Sequence, residues 1–180
     1  TGGRGKTIFL QWLTARHCVP QPHRIPVAKV DFDDINIAKL GQYPYLLLLR
    51  FAEQLDRQIF GSPFSDLLQR HGKFASILLP SARLPQGRSI EGLESDLRSL
   101  PGLGIELQAT FATKLSGRLV LAILDTVEEG VLHFPESLRA VIEILRGIHG
   151  QSPGFKTLLA GRYDLAERGF LQKDDPAPFE

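Results

Sequence analysis

The chain has 180 residues, of which 43% are hydrophobic and 23% are charged, and its net charge is +1. This composition excludes a disordered chain, and the length favours one domain over two. The longest apolar run, residues 45–49, is too short to cross a bilayer. The balanced charge does not indicate the basic surface that binds nucleic acid. The only cysteine, Cys18, cannot form an internal disulfide, which favours a cytoplasmic setting.

The predicted elements alternate between helix and strand. Glycine-rich residues 1–7 run into a segment whose Ile8, Leu10, Trp12 and Leu13 suit a buried helix. Strands are predicted over residues 27–32, 118–125 and 155–160, and helices over residues 45–60, 64–79, 91–100, 105–115 and 135–148. Residues 80–104, rich in Pro, Gly, Ser and Arg, are expected to hold an inserted loop or a partner surface. The alternation predicts an α/β fold with a mainly parallel sheet.

Residues 1–7 (TGGRGKT) carry most of a Walker A phosphate loop, a glycine-rich turn between a strand and a helix. Gly5, Lys6 and Thr7 form its second half. Glycines let backbone amides approach phosphate oxygens, because a side chain would block them. Lys6 would place its charge on the β- and γ-phosphates, and the Thr7 hydroxyl would ligate Mg²⁺. The alternative is a plain glycine-rich turn, with Lys6 an ordinary surface residue.

The apolar strand at residues 118–125 ends in an aspartate, and two further acids follow after one short turn. Asp125 is placed to hold Mg²⁺, directly or through water. Glu128 or Glu129 is placed to orient or deprotonate an attacking water, since a carboxylate near the γ-phosphate polarises it. The alternative is that Glu128 and Glu129 begin a solvated loop. With the phosphate loop, these acids predict an ATPase or GTPase site.

The segments TGGRGKT, VAKVDFDD, RLVLAILDTVEEG and FKTLLAGRYDL occur in this order along most of the chain. The chain thereby resembles STAND-type P-loop ATPases, AAA+-related signalling proteins that include the NACHT and plant-resistance classes. LDTVEE is similar to the Walker B form of that group, and LLAGR is similar to its sensor 1 strand. The resemblance implies a three-layer α/β/α sandwich with a P-loop NTPase core. Residues 1–180 would be one partial domain, lacking the strand before residue 1 and the last strand and lid after residue 180.

The resemblance also implies a function, an ATP-dependent switch that binds ATP or ADP with Mg²⁺. Hydrolysis would be slow, and the nucleotide state would control self-association and contacts with other domains of the same chain. No membrane or nucleic-acid partner is indicated. Arg162 would sense the γ-phosphate, and Thr7 and Asp125 would hold the metal. The residues expected to bind nucleotide are Gly2, Gly3, Arg4, Gly5, Lys6, Thr7, Ile8 and Arg162. The preference for ATP rests on the resemblance, since no guanine-reading motif occurs.

Three other functions stay open. The chain could be an AAA+ motor or loader acting on nucleic acid or protein, or a nucleotide-binding module in which Glu128 and Glu129 are idle. It could also be a small-molecule kinase with Asp31 or Asp33 as its base. We expect Asp33 and Asp34 instead to cap the next helix. The five histidines have no metal-ligand spacing.

Overall fold

The computed structural model describes residues 4–18, 24–80 and 89–162, with only the backbone described for Arg4, Thr7 and Glu129. The strands are β1 (Val27–Asp31), β2 (Val120–Asp125) and β3 (Phe155–Leu159). The helices are α1 (Arg4–Leu13), α2 (Ile37–Gln42), α3 (Leu47–Leu55), α4 (Ser65–His71), α5 (Ile90–Arg98), α6 (Leu103–Lys114), α7 (Glu128–His133) and α8 (Pro135–Gln151). Short 3₁₀ segments occupy Phe32–Asp34, Pro44–Leu46 and Gly72–Leu78, and a π turn, Thr14–Cys18, follows α1.

The three strands form one parallel sheet in the order β1-β2-β3. Helices α2 to α6 connect β1 to β2, and α7 and α8 connect β2 to β3. Parallel neighbours require such crossovers, because each strand must begin at the same edge of the sheet. The predicted α/β fold with a parallel sheet is therefore confirmed for the described residues. The P-loop NTPase core stays a prediction.

The sheet has apolar packing on both faces. Val120, Ala122 and Leu124 of β2 belong to the main core, which also includes α3 and the Phe64 and Phe111 rings at 4.6 Å. Ile123 of β2 instead joins a smaller cluster with Leu10 and Ala160. Alternate residues of a strand point to opposite faces, so α1 packs through Leu10 on the face opposite the main core.

Helix α1 is present as predicted, but its burial is not as expected. Leu10 is 3% exposed, whereas Ile8 is 62% and Trp12 is 50% exposed. The ring of Phe9 stacks on Trp12 at 6.1 Å, and the Arg16 guanidinium lies 5.7 Å from the Trp12 ring centroid. The expectation that Ile8 and Trp12 are buried was wrong, because the described part of the chain covers only the Leu10 side of this helix.

The helix predicted over residues 45–60 is shorter, since α3 ends at Leu55. The carboxylate of Asp56 accepts a hydrogen bond from the Phe64 amide at 2.7 Å and another from the Ser65 hydroxyl at 3.0 Å. Between them Gly61 has a φ of +84°, which glycine adopts readily. These bonds close a turn where the helical pattern of the sequence continues.

The acidic segment after β1 is capped differently from the prediction. Asp31 caps the 3₁₀ turn Phe32–Asp34 by accepting a hydrogen bond from the Asp33 amide. Asn36 caps α2 by accepting from the Lys39 amide at 3.1 Å. The assignment of Asp33 and Asp34 as helix caps was therefore wrong, because one turn of 3₁₀ helix separates β1 from α2. Of the predicted insertion at residues 80–104, the structure describes α5 and the start of α6, while residues 81–88 lie outside the described part.

The outer edge of β1 is covered by two glutamines from α3 and the turn that follows it. The Gln54 side chain accepts from the Lys29 amide and donates to the Lys29 carbonyl, both at 2.9 Å. Gln58 does the same for Val27, at 3.0 and 2.6 Å. Gln58 stands four positions after Gln54, which places the two glutamines on one face of a helical turn. Their amides thus satisfy strand groups that would otherwise invite pairing with another chain.

We expect the double substitution Gln54→Ala and Gln58→Ala to lower the free energy of unfolding by about 1–2 kcal/mol, since it removes the partners of the partly buried Val27 backbone and of the exposed Lys29 backbone. Urea denaturation measures the change. Gln69→Ala is the matched control, because Gln69 is exposed on α4. A double variant as stable as the control would show that these bonds contribute nothing.

Within the described ranges, no helix has both the length and the apolar character that a membrane crossing requires.

Candidate functional site

The carboxyl ends of the strands meet at one edge of the sheet, as parallel strands require, and this edge is where ligands bind in open α/β folds. The register pairs Asp31 with Asp125, so β1 and β2 end side by side. Asp125 is 3% exposed, although it is an acid at the end of a strand. A buried carboxylate requires partners, and Asp125 has three among the described residues.

The partners of Asp125 come from both sides. Lys6, in the first turn of α1, places its Nζ 3.2 Å from Oδ1 of Asp125. Lys29, in the middle of β1, places its Nζ 2.8 Å from Oδ2. The amide of Thr126 donates to Oδ1 at 3.0 Å. Two ammonium groups therefore share one buried carboxylate.

Glu128 extends this cluster. It is the first residue of α7 and is 8% exposed. Its Oε2 lies 3.6 Å from Lys6 Nζ, and its Oε1 lies 3.4 Å from Nε of Arg162, just beyond β3. Oε2 is buried and has no hydrogen-bond partner among the described residues, since the Lys6 contact is longer than a hydrogen bond. The structure thus brings together Lys6, Asp125, Glu128 and Arg162, residues predicted from three separate segments.

The turn between β2 and α7 holds these acids in place. Thr126 has a φ of +57°, a conformation that few non-glycine residues adopt and that is found often at functional sites. The Val127 amide donates to the Ala160 carbonyl at 3.1 Å, which ties the turn to the end of β3. A Cβ on Gly161 would lie 2.6 Å from Cγ2 of Val127 and 3.1 Å from Oε2 of Glu128. Gly161 therefore leaves the room that Glu128 occupies.

Sequence reasoning missed three contributors, Lys29, Thr126 and Gly161. Lys29 had a visible signal, because a lysine inside the apolar strand VAKVD is unusual unless it has a partner. Gly161 had a weaker one, a glycine two residues after the end of β3. The strain at Thr126 had none, because threonine does not favour a positive φ.

The two lysines set the protonation of Asp125. Burial by itself raises the pKa of Asp125, but the hydrogen bonds and charges of Lys29 and Lys6 outweigh burial and hold that pKa below its ordinary value. Asp125 is therefore an anion at neutral pH, as a ligand of a cation has to be.

Asp125 should stabilise the folded chain at neutral pH and lose that contribution in acid. Its folded pKa lies below the unfolded value of about 3.9, so the contribution is complete above that value and disappears as the pH falls through the folded pKa. Urea unfolding of the parent and of Asp125→Asn, from neutral pH down to about pH 3, tests this. The gap in unfolding free energy should narrow below about pH 4. A constant gap over the whole range would contradict it.

The remaining predicted residues are placed only in part. Gly2 and Gly3 lie outside the described residues, and only the backbone of Arg4, Thr7 and Glu129 is described, within α1 and α7. Gly5 is exposed in the first turn of α1, and Ile8 is exposed one turn further on.

The charges of this cluster bear on whether it could bind an anion or a metal cation. Three cationic side chains, Lys6, Lys29 and Arg162, contact two carboxylates, so these five groups together carry one net positive charge. No group of three or more His, Cys, Asp or Glu in the described ranges could hold a metal ion by itself. A hard cation held here would need ligands from elsewhere, and Mg²⁺ commonly takes them from substrate phosphates and water.

Comparisons with protein-family models, with curated proteins and with solved structures found no match to this chain.

Proposed function

We propose that the chain is the nucleotide-binding part of an ATP-dependent molecular switch, with a P-loop NTPase core of the AAA+-related STAND kind. One observation carries the proposal. Lys6, at the start of the helix that follows the glycine-rich segment, contacts both Asp125 at the end of β2 and Glu128 just after it. A phosphate-binding lysine, an aspartate at a strand end and a glutamate close to both are the groups that a site for a nucleoside triphosphate uses.

Each residue has a distinct role in this proposal. Amides in the first turn of α1 and the Lys6 ammonium bind the β- and γ-phosphates, since the helix N-terminus and the lysine both favour anions. Asp125 and the Thr7 hydroxyl hold Mg²⁺, which neutralises charge on the phosphates when it is bound. Glu128 accepts a proton from, or orients, the attacking water. Glu129 stays a second candidate for that role.

Arg162 links the site to the end of β3. Its Nε lies 3.4 Å from Oε1 of Glu128, while its side chain is 68% exposed and therefore free to turn toward a ligand. A γ-phosphate placed beside Glu128 competes for this guanidinium, because arginine binds phosphate oxygens well. We propose that Arg162 reports the γ-phosphate in this way and that self-association and contacts with other domains depend on the bound nucleotide.

The test compares nucleotide affinity, hydrolysis rate and particle size of the intact protein with ADP and with a non-hydrolysable ATP analogue. A switch should bind both nucleotides, hydrolyse ATP slowly and form larger assemblies only with the analogue. Fast turnover stimulated by a protein or nucleic acid would instead favour the motor or loader. Binding without any turnover would favour a nucleotide-binding module, and phosphate transfer to a small molecule would favour a kinase.

A further inference from the structure

Asp125 has two lysine partners, and the proposed function uses only one of them. Lys6 is the phosphate-binding lysine, whereas Lys29 belongs to the neighbouring strand and has no assigned role. Its Nζ is the closer of the two, at 2.8 Å from Oδ2, while Oδ1 is shared by Lys6 and the Thr126 amide. Both oxygens of the proposed metal ligand are therefore already hydrogen-bonded.

An ammonium group and a divalent cation compete for the same carboxylate. Lys29 donates to Oδ2 and neutralises part of the charge that would attract a metal, and its own charge repels a cation placed beside it. Asp125 is too well buried for water to screen this repulsion fully, since its side chain is only 5% exposed. The Lys29 side chain is 41% exposed and can withdraw toward solvent. Charge attraction therefore keeps Lys29 beside Asp125, since the lysine itself is not buried by neighbouring residues.

Lys29 is also poorly explained as a purely structural residue. The backbone of β1 at this position is already satisfied by Gln54, and β2 pairs along the other side of the strand. Asp125 would keep two partners, Lys6 and the Thr126 amide, if Lys29 were lost. The fold therefore does not require the charge of Lys29 in order to bury this acid.

We propose that Lys29 is a positioning residue that competes with divalent cations for Asp125, so that the metal enters together with nucleotide and not before it. This inference rests on the proposed function. When phosphates draw Lys6 away, Asp125 keeps one ammonium partner, and the negative charge of the phosphates offsets the repulsion between Lys29 and the cation. Without phosphates, two lysines oppose metal binding.

The test uses Lys29→Met, which keeps an apolar stem of similar length, and Lys29→Arg, which keeps the charge. Lys114→Met is the control, since Lys114 is exposed at the end of α6. Electron paramagnetic resonance measures binding of Mn²⁺ alone, and a fluorescent ADP analogue measures how nucleotide affinity depends on Mg²⁺. Lys29→Met should bind Mn²⁺ about tenfold more tightly than the parent and need correspondingly less Mg²⁺. Lys29→Arg and Lys114→Met should resemble the parent.

The two measurements separate this inference from the function on which it rests. Unchanged or weaker Mn²⁺ binding in Lys29→Met would overturn the competition, whatever the nucleotide affinity. Failure of the parent to bind the ADP analogue would overturn the proposed function, while the Mn²⁺ measurement would still decide the role of Lys29. Thermal unfolding without metal is measured alongside, and a variant that only loses stability, with parent-like Mn²⁺ binding, would assign Lys29 a structural role.

Discussion

Lys6→Ala should lower the affinity for a non-hydrolysable Mg·ATP analogue by about 10- to 100-fold, because it removes one charge-assisted contact to the phosphates. The structure places this ammonium beside Asp125 and Glu128, so alanine also leaves those carboxylates with extra negative charge toward the ligand. The lost contact and the added negative charge both weaken nucleotide binding. Isothermal titration calorimetry at fixed ionic strength measures the change.

Lys114→Ala provides the control for loss of a positive charge, since it removes an exposed lysine from the end of α6. The unfolding free energy of Lys6→Ala is measured as well, and we expect the variant to fold, because Asp125 keeps Lys29 and the Thr126 amide. If folded Lys6→Ala binds the analogue as tightly as the parent, Lys6 is a surface residue and the phosphate-loop assignment is wrong.

Glu128→Gln should keep nucleotide binding and lower ATP turnover about 100-fold or more, the range expected when a general base is lost. Glutamine has nearly the same shape, so the space beside Gly161 stays filled. It cannot accept a proton, and it no longer attracts Lys6 and Arg162 through charge. Phosphate release at saturating ATP, measured beside analogue affinity, separates chemistry from binding.

Glu91→Gln on the exposed start of α5 is the matched control for Glu128→Gln. Glu129→Gln tests the neighbouring acid that the sequence could not distinguish from Glu128. The contacts of Glu128 with Lys6 and Arg162 lead us to expect the larger loss of turnover at Glu128. Turnover lost only in Glu129→Gln would transfer the role, and turnover kept in both variants would remove both acids from the chemistry.

The strands of this fold could be predicted because their signals are local. The run LVLAILD is apolar at successive positions, which a strand covered on both faces requires, and β2 is found there. The aspartate at its end marks the carboxyl edge of the sheet. Helix α8 could be predicted in the same way, because its apolar residues recur at helical spacing. Strand β3 lies where it was predicted, but the expectation of a buried strand was wrong, since only Phe155 in it is buried and Lys156 and Thr157 are exposed.

The rest depends on distant contacts. Lys29 contacts Asp125 only because the register places β1 beside β2. Gln54 bonds the β1 backbone only because α3 packs against the edge of that strand. The exposure of Trp12 depends on what covers α1, which periodicity does not reveal. The end of α3 depends on Asp56 reaching Phe64 eight residues later. Apart from the lysine inside an apolar strand, none of these features has a signature within a short window of sequence.

The site residues show the same division. The contact between Lys6 and Asp125 agrees with two sequence patterns, a glycine-rich segment before a helix and an acid at the end of a strand, while the roles of the two residues stay predictions. Arg162 was expected from the resemblance alone, and the structure places it against Glu128. The positive φ of Thr126 and the close approach at Gly161 arise from the folded turn that holds Glu128, so no local sequence pattern predicts them.

The most direct test of the nucleotide site is a calorimetric titration of ADP with Mg²⁺ into the intact protein. If Lys6, Asp125 and Glu128 form a phosphate site, the parent should give a saturable signal with one nucleotide per chain, and Lys6→Ala should lose most of it. No saturable binding of ADP or the ATP analogue to the folded parent would contradict the proposal, and the lysine–carboxylate cluster would then be a structural ion-pair network.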